Sequence, residues 1–314
     1  MSLVRVILRP HRFEAIAVAV LAALAFLVAG GLVIRLLAHA IPAECFTRAA
    51  GDACVPWQQE MDSYRETAGS WGLAALAAIA LLPAACGLLF GISLVGKELD
   101  QGTTTFAWSI GPSRRRWLLQ RVLPIGAAIV VIGLAAGAIG DVVAMLREPF
   151  TDPNGSLSNL GIRGAVLGAE ALAYFGIALL VGAVVGRVLP ALILACLLVF
   201  TAFLGVTLLT DTFLSTETVL SYGTDGGLPG RVVEFMVETP DGDVISWREA
   251  YERYGEDVML GPEGIGPDTT FREAWRINPP ELFPFAVARM LVLYSALGLA
   301  AITLSFAVVE RRRP

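Results

Sequence analysis

Residues 96–121 read GKELDQGTTTFAWSIGPSRRRWLLQR and form a polar, charged segment between two long apolar stretches. The segment carries one lysine and four arginines against two acidic residues. A short basic connector between hydrophobic spans is typical of a cytoplasmic loop. The segment therefore predicts a chain that crosses a membrane on either side of residues 96–121.

The composition of the whole chain supports this prediction. Of its 314 residues, 56% are hydrophobic and 16% are charged, and the mean hydropathy is +0.69. About a quarter of the residues of a soluble domain are charged, and a helix needs about 20 apolar residues to cross a bilayer. We predict an all-α polytopic membrane protein with six transmembrane helices. The apolar runs lie at about 15–37, 70–95, 122–146, 164–186, 189–209 and 285–309.

The remaining segments complete the predicted domain organisation. In residues 1–14, arginines alternate with apolar residues, which indicates a cytoplasmic interfacial elbow helix; a solvated basic tail is the alternative. Residues 15–210 hold spans 1–5, the cytoplasmic loop 96–121 and an extracytoplasmic loop at 39–70. An extracytoplasmic domain follows at 211–284, and span 6 with a basic cytoplasmic tail occupies 285–314.

The segment 211–284 is acidic and has strand-like patterning. It contains 15 Asp and Glu residues and five Arg residues. Residues 232–238 alternate as a strand does, 240–243 form a turn, and 244–247 could return as a partner strand. Alternatively, 246–254 could begin a helix with Ser246 as its cap and Glu249 completing a capping box. We expect a small mixed domain here.

The charge distribution predicts the orientation of the chain. Six spans place both termini on one side, and basic clusters mark the chain start, the loop 96–121, Arg187 and Arg311–Arg313. By the positive-inside rule that side is cytoplasmic, which predicts a multi-pass membrane protein with both termini in the cytoplasm. Cys45 and Cys54 then lie outside, where a disulfide is expected. A metal site there is less favoured, because His39 is the one nearby imidazole.

Motifs for catalysis are missing from the sequence. It contains no G-x-x-x-x-G-K-[ST] phosphate loop, no H-E-x-x-H and no G-x-S-x-G. We predict that the chain is not an enzyme and carries no cofactor of its own.

Three charged residues fall inside the apolar runs: Glu170, Asp141 and Arg289. Ionisable residues in membrane spans often mark a transport path. We therefore treat these three as candidates for a translocation path. The alternative is that each lies close enough to the headgroups to be solvated.

The loop 96–121 has local features of its own. Its Trp residues suit the headgroup zone, and Ser113 is a plausible N-cap for a helix that leads into span 3. The loop can be interpreted as two short helices joined at Gly111-Pro112, the first running from Lys97 to Trp108. On these features alone, the loop could be a topological stop signal with aromatic anchors.

The order of residues in this loop resembles the loop after the second span of ABC-2 type transporter permeases, especially those of actinobacteria. Glu98, Gly102 and Thr103 match the acidic and Gly-Thr positions of that loop. Actinobacterial members continue with a Trp, a Ser-x-x-Arg motif and a second Trp. The matching residues here are Trp108, Ser113, Arg114, Arg116 and Trp117. The order of elbow, six spans and large outer segment is also similar.

The resemblance implies a multi-pass permease subunit of the bacterial plasma membrane. Two such chains, identical or related, would pair around a central path, and cytoplasmic ATPase subunits holding ATP and Mg²⁺ would dock on the loop. The residues expected to couple to the ATPase are Glu98, Asp100, Gly102, Thr103, Trp108, Ser113, Arg114, Arg116 and Trp117. Export is expected by family analogy. The alternatives are a secondary transporter or channel, and a membrane-anchored sensor whose outer domain binds a ligand.

Overall fold

The computed structural model of the protein shows a helical bundle with a small β-sheet at one end. It describes residues 11–39, 41–46, 52–102, 113–147, 149, 157, 159–222, 230–255 and 271–312. Six helices in these ranges are long and apolar enough to cross a membrane. They are α1 (Arg12–Leu37), α2 (Gln58–Asp100), α3 (Arg114–Arg147), α4 (Val166–Val185), α5 (Val188–Thr216) and α7 (Phe283–Arg311). The predicted all-α polytopic fold is confirmed.

Helix α4 is the centre of the bundle. In its most apolar stretch 78% of the residues are buried, whereas the other spanning helices have between 17% and 44% buried. Apart from Glu170 and Tyr174, its residues are apolar or small on all sides, which is the pattern of a helix surrounded by other helices. Helices α2, α3 and α7 pack around it.

Glycines allow these neighbours to approach the α4 backbone closely. A Cβ atom added at Gly91 of α2 would lie 2.6 Å from the Cβ of Ala178 on α4. One added at Gly298 of α7 would lie 2.9 Å from the Ala173 nitrogen, and one at Gly133 of α3 would lie 2.7 Å from an α4 carbonyl oxygen. Small residues let helix backbones approach in membranes, where packing rather than the hydrophobic effect drives helix association.

Helices α1 and α5 lie at the periphery and each buries a single stripe. On α1 the stripe recurs every three or four residues, at Val18, Ala22, Ala25, Ala29, Leu32 and Leu36. Large apolar side chains on their other faces are exposed, including Leu27 of α1 and Phe200 of α5. Such faces suit contact with lipid chains.

The connections between the spanning helices range from a very short turn to a loop with helical turns of its own. Gly186 ends α4 in the left-handed conformation, at φ 68°, and α5 begins at Val188, so the turn between these two helices is very short. The loop before α2 contains two 3₁₀ helices, Ala43–Phe46 and Asp52–Trp57, and the disulfide Cys45–Cys54, whose Cα atoms are 5.6 Å apart.

The segment between α5 and α7 forms a four-stranded antiparallel sheet in the order β1-β4-β2-β3. Its strands are β1 (Val219–Tyr222), β2 (Arg231–Glu238), β3 (Val244–Ser246) and β4 (Arg272–Asn278), and α6 (Trp247–Tyr254) follows β3. Both the return strand and the helix that were alternatives for 244–254 occur, because the strand ends at Ser246 and the helix begins at Trp247. The Ser246 Oγ then accepts a hydrogen bond from the Glu249 N–H at 3.2 Å.

Strand β1 begins two residues after α5 ends, and β4 leads into α7 through Pro279 and a short 3₁₀ helix, Pro280–Leu282. Val219 pairs with Ile277 in the β1–β4 ladder. The Asn278 side-chain amide donates a hydrogen bond to the Leu214 carbonyl at 2.5 Å, and Arg231 pairs with Asp211 at 3.3 Å. The sheet is therefore fixed to the ends of both helices.

Several boundaries differ from the sequence-based ones. Helix α2 begins at Gln58 rather than near 70, and α3 begins at Arg114 rather than near 122. Hydropathy reports only the apolar part of a helix, whereas backbone hydrogen bonds continue into the polar flanks. Lys97–Asp100 accordingly form the last turn of α2, so the separate helix predicted from Lys97 to Trp108 is wrong for these residues.

The predicted elbow lies mostly in residues 1–10, outside the described residues. Arg12 to Glu14 belong to the first turn of α1.

The close approach at Gly91 gives a direct test of the packing. In Gly91→Ala, the new methyl group meets the α4 backbone, with the Phe175 carbonyl oxygen 2.8 Å away. We expect a loss of about 1–3 kcal/mol, the usual cost of overpacking, measured as a lower thermal midpoint in detergent. The control is Gly205→Ala in α5, where a Cβ meets nothing within 4 Å. Equal midpoints for the two variants would contradict the packing described.

Candidate functional site

The two ends of the bundle are named by what lies there. The terminal end is where α1 begins and α7 ends, and the sheet end is the opposite one. The predicted coupling residues within the described ranges lie at the terminal end. Glu98, Asp100 and Gly102 are at the end of α2, and Ser113 to Trp117 are at the start of α3. Thr103 and Trp108 lie outside the described residues.

An ion pair joins α2 to α3 at this end. The Arg121 guanidinium donates to the Glu98 carboxylate, and it also lies over the Trp117 ring, 4.3 Å from the ring centroid. The Arg121 and Glu98 side chains are 23% and 17% exposed. Because both are largely shielded from water, the attraction between the two charges is screened less than in an exposed pair. It closes the base of the loop between α2 and α3.

A second ion pair joins α1 to α2. The Lys97 ammonium lies 3.1 Å from a carboxylate oxygen of Glu14, which is buried in the first turn of α1. His11 lies at the N-cap position of α1, where its side chain makes no capping hydrogen bond, and is only 2% exposed. Burial lowers the pKa of His11 below its ordinary value of 6.5, and the nearby Glu14 opposes that effect. Burial thus disfavours the charged form of this imidazole.

Arginine side chains join α3, α7 and α4. Arg114 donates to the carbonyl oxygens of Arg312 and Glu310 at the end of α7. Arg312 in turn donates from Nη2 to the Val184 carbonyl at 2.6 Å, in the last turn of α4. The last carbonyls of a helix have no partner within the helix, and cations there also suit the helix dipole. Each arginine thus caps a neighbouring helix.

Together these contacts form one connected set, which we call the terminal network. It joins the ends of α1, α2, α3, α4 and α7. Its members are Glu14, Lys97, Glu98, Arg114, Trp117, Arg121, Glu310 and Arg312, with Arg115 4.0 Å from Glu310.

The other predicted coupling residues are exposed beside this network. Asp100, Gly102, Ser113 and Arg116 face solvent. Gly102 has φ 69°, a left-handed conformation that favours glycine. Ser113 caps α3 as predicted, since its Oγ accepts from the Arg116 N–H at 3.2 Å. This exposed set offers a mixed-charge surface at the terminal end.

A known family model covers the part of the chain that forms this geometry. The model described as "ABC-2 membrane transporter related" matches residues 15–213. The chain belongs to the ABC-2 membrane transporter related family. No curated protein and no solved structure matches it. Membership confirms the resemblance to ABC-2 type permeases, and the match covers spans 1–5 together with the segment that carries Glu98 to Trp117.

The three charged candidates for a translocation path in this ABC-2 chain lie towards the sheet end, each with a different partner. Asp141 accepts a hydrogen bond from the buried Arg163 at 2.8 Å. Arg289 is exposed and lies over the Phe213 ring, 5.1 Å from its centroid. Their role in transport stays a prediction.

Glu170, the third candidate, is buried inside the bundle about one helical turn from the start of α4. It accepts a hydrogen bond from Tyr174 at 2.5 Å. The Tyr174 ring meets that of Tyr294 on α7 edge to face, with centroids 6.1 Å apart. Within one subunit, Glu170 therefore joins the contact between α4 and α7 and does not face outwards.

The sequence-based site omitted several residues that the structure brings together. Lys97 directly precedes Glu98, and Arg121 lies one helical turn after Trp117, so both could have been included from their position at helix ends. Glu310 lies near the end of α7, and Glu14 falls within the predicted elbow, so neither is close to the loop in sequence. Arg312 was counted only as tail charge, because its partner is a backbone carbonyl that no side-chain pattern reveals. Among the described residues no group of three potential metal ligands occurs.

The burial of His11 predicts a pH effect on stability. Its pKa is lowered in the folded protein, so below pH 6.5 the unfolded chain binds a proton that the folded chain does not. Stability should therefore fall as the pH decreases through 6.5 towards the lowered pKa. Thermal midpoints measured between pH 8 and pH 5 should show a smaller decrease in His11→Asn than in the unmodified chain. The control His39→Asn removes the other histidine and should keep the decrease. An unchanged slope in His11→Asn would contradict the prediction.

Proposed function

We propose that this chain is the membrane subunit of an ATP-driven exporter, powered by a separate ATPase that docks at the terminal end. The observation that carries the proposal is the terminal network, which connects the loop between α2 and α3 to five of the six spans. Family membership supports a permease role. The sequence contains no phosphate loop, so ATP and Mg²⁺ would be bound by the partner subunit.

In this proposal the terminal end faces the cytoplasm. The exposed arginines there, among them Arg115, Arg116 and Arg311, agree with the positive-inside rule. At the sheet end lies the disulfide Cys45–Cys54, which suits an oxidising compartment outside the bacterial plasma membrane. The loop 96–121 would thus be available to a cytoplasmic ATPase.

The network would carry movement of the loop to the helices. The Glu98–Arg121 pair joins the two ends of the loop, so α2 and α3 would move together when the ATPase displaces it. Arg114 would pass the displacement to α7, and Arg312 would pass it to the central helix α4. Two such chains, identical or related, would enclose the transport path between them, as family analogy suggests.

The coupling proposal is tested with Glu98→Gln. The change keeps the size of the side chain but removes the charge that holds Arg121, so ATP binding would no longer move α2 and α3 as one. The chain is purified with the P-loop ATPase that accompanies it, and vanadate-sensitive ATP hydrolysis of the complex is measured. We expect a decrease of roughly tenfold, equivalent to about 1.4 kcal/mol on the barrier.

The matched control is Glu234→Gln, which makes the same change in an ion pair with Arg276 in the sheet, at the opposite end of the bundle. It should leave ATP hydrolysis by the complex near the unmodified rate. Equal losses in both variants would indicate general destabilisation and would count against specific coupling. ATP hydrolysis by the purified chain without any ATPase would overturn the proposal.

Orientation is tested by cysteine labelling. Ser113→Cys places an exposed thiol at the terminal end, and Asp241→Cys places one in the exposed turn between β2 and β3. In intact cells a membrane-impermeant maleimide should label Asp241→Cys, whereas Ser113→Cys should react only after permeabilisation. The background chain carries Ser at Cys86 and Cys196, the two free cysteines. Labelling of Ser113→Cys in intact cells would reverse the orientation.

A further inference from the structure

A cleft at the sheet end combines apolar walls with two guanidinium groups. It lies between the first turns of α2 and the end of α3 and has a volume of about 250 Å³. Phe46 and Met61 contribute apolar surface, Gly69 forms part of one wall, and Arg65 and Arg147 supply positive charge. We propose that this cleft binds the phosphate headgroup of a phospholipid from the leaflet at the sheet end.

The depth of the cleft fits a lipid headgroup. Arg147 is the last residue of the spanning helix α3, and Gly69 directly precedes the apolar part of α2. Next to Gly69, Trp71 is 56% exposed. Tryptophan is enriched at the boundary between lipid chains and water. The cleft therefore lies at the level where lipid phosphates are found.

The charge of the cleft favours an anion. Among the described residues, no carboxylate lies within 4.0 Å of the Arg147 guanidinium. Arg65 is paired with Asp62 at 3.5 Å, so the positive charge of the cleft rests mainly on Arg147. Glu60 lies nearby but faces His39, at 3.8 Å. A guanidinium group can donate two parallel hydrogen bonds to a phosphate.

The walls of the cleft are held in place before any ligand arrives. Tyr64 donates a hydrogen bond to the Leu146 carbonyl and so joins α2 to α3. The Phe46 ring packs edge to face on Tyr64 at 5.1 Å, directly after the disulfide residue Cys45. At Gly72, a Cβ would lie 3.1 Å from the Arg147 side chain, so glycine lets Arg147 lie against α2.

The surroundings of the cleft favour a lipid over a soluble anion. Leu73 follows Gly69 by four residues and therefore lies on the same face of α2. It is 60% exposed. An acyl chain could extend along Leu73 while its phosphate is held by Arg147. A free phosphate would gain nothing from the apolar walls.

The test measures lipid binding to the purified full-length chain by native mass spectrometry. Phosphatidylglycerol is titrated into the delipidated protein in detergent, and the fraction carrying one lipid is recorded. We expect about tenfold weaker binding for Arg147→Gln, because a hydrogen-bonded charge contributes more than about 1.4 kcal/mol. Gly69→Leu should weaken binding similarly, since its Cβ meets nothing within 4 Å and the side chain can fill the cleft.

Two matched controls accompany these variants. Gly205→Leu introduces the same side chain at another open helix glycine, and Arg187→Gln removes an arginine at the terminal end. Both should bind lipid like the unmodified chain. A thermal midpoint for every variant shows that loss of binding is not loss of folding.

Three results would overturn the proposal. One is unchanged lipid binding in Arg147→Gln, and another is equal loss in the controls. The third is displacement of the lipid by millimolar inorganic phosphate, which would identify a site for soluble anions instead. The measurement needs no ATPase and no transport, so its outcome is independent of the proposed coupling role.

Discussion

The contact on which the fold depends is the approach of three helix backbones to the central helix α4. In a membrane, apolar side chains gain little by leaving lipid for protein, so close packing has to hold the helices together. The glycines of α2, α3 and α7 that face α4 remove the side chains that would keep the backbones apart. The rest of the bundle follows from this arrangement, because α1 and α5 attach to it through single stripes of small and medium-sized residues.

The terminal network also depends on that packing. Arg312 can reach the Val184 carbonyl only because α7 runs beside α4 over its full length, and Gly186 leaves room for the guanidinium. Lys97 and Glu14 are 83 residues apart in the chain and meet because α1 and α2 pack side by side. The network is thus a result of the apolar fold. Rearranging these ionic contacts at the helix ends also costs less free energy than rearranging the packed core beneath them.

The six spans could be predicted from the sequence, because apolar runs of this length are rare outside membrane-spanning helices. Local capping signals at Ser113 and Ser246 were equally reliable, since a cap needs only neighbouring residues. The reach of α2 and α3 beyond the apolar runs was missed, as hydropathy does not measure helix length. The partners of Arg114 and Arg312 could not be predicted, because they are backbone carbonyls on distant helices. The burial of Glu170 within one subunit likewise depends on which face of α4 meets α7.

The attachment of the sheet to helices α5 and α7 limits where the bundle can open. Strands β1 and β4 are hydrogen-bonded neighbours, and only short connections, residues 217–218 and 279–282, join them to α5 and α7. Paired strands stay about 5 Å apart. The β1–β4 pairing therefore keeps the ends of α5 and α7 close together at the sheet end. A passage that widens at this end has to separate other helices, unless the hydrogen bonds between β1 and β4 break first. A vestibule for cargo would then form on the side of the bundle away from α5 and α7.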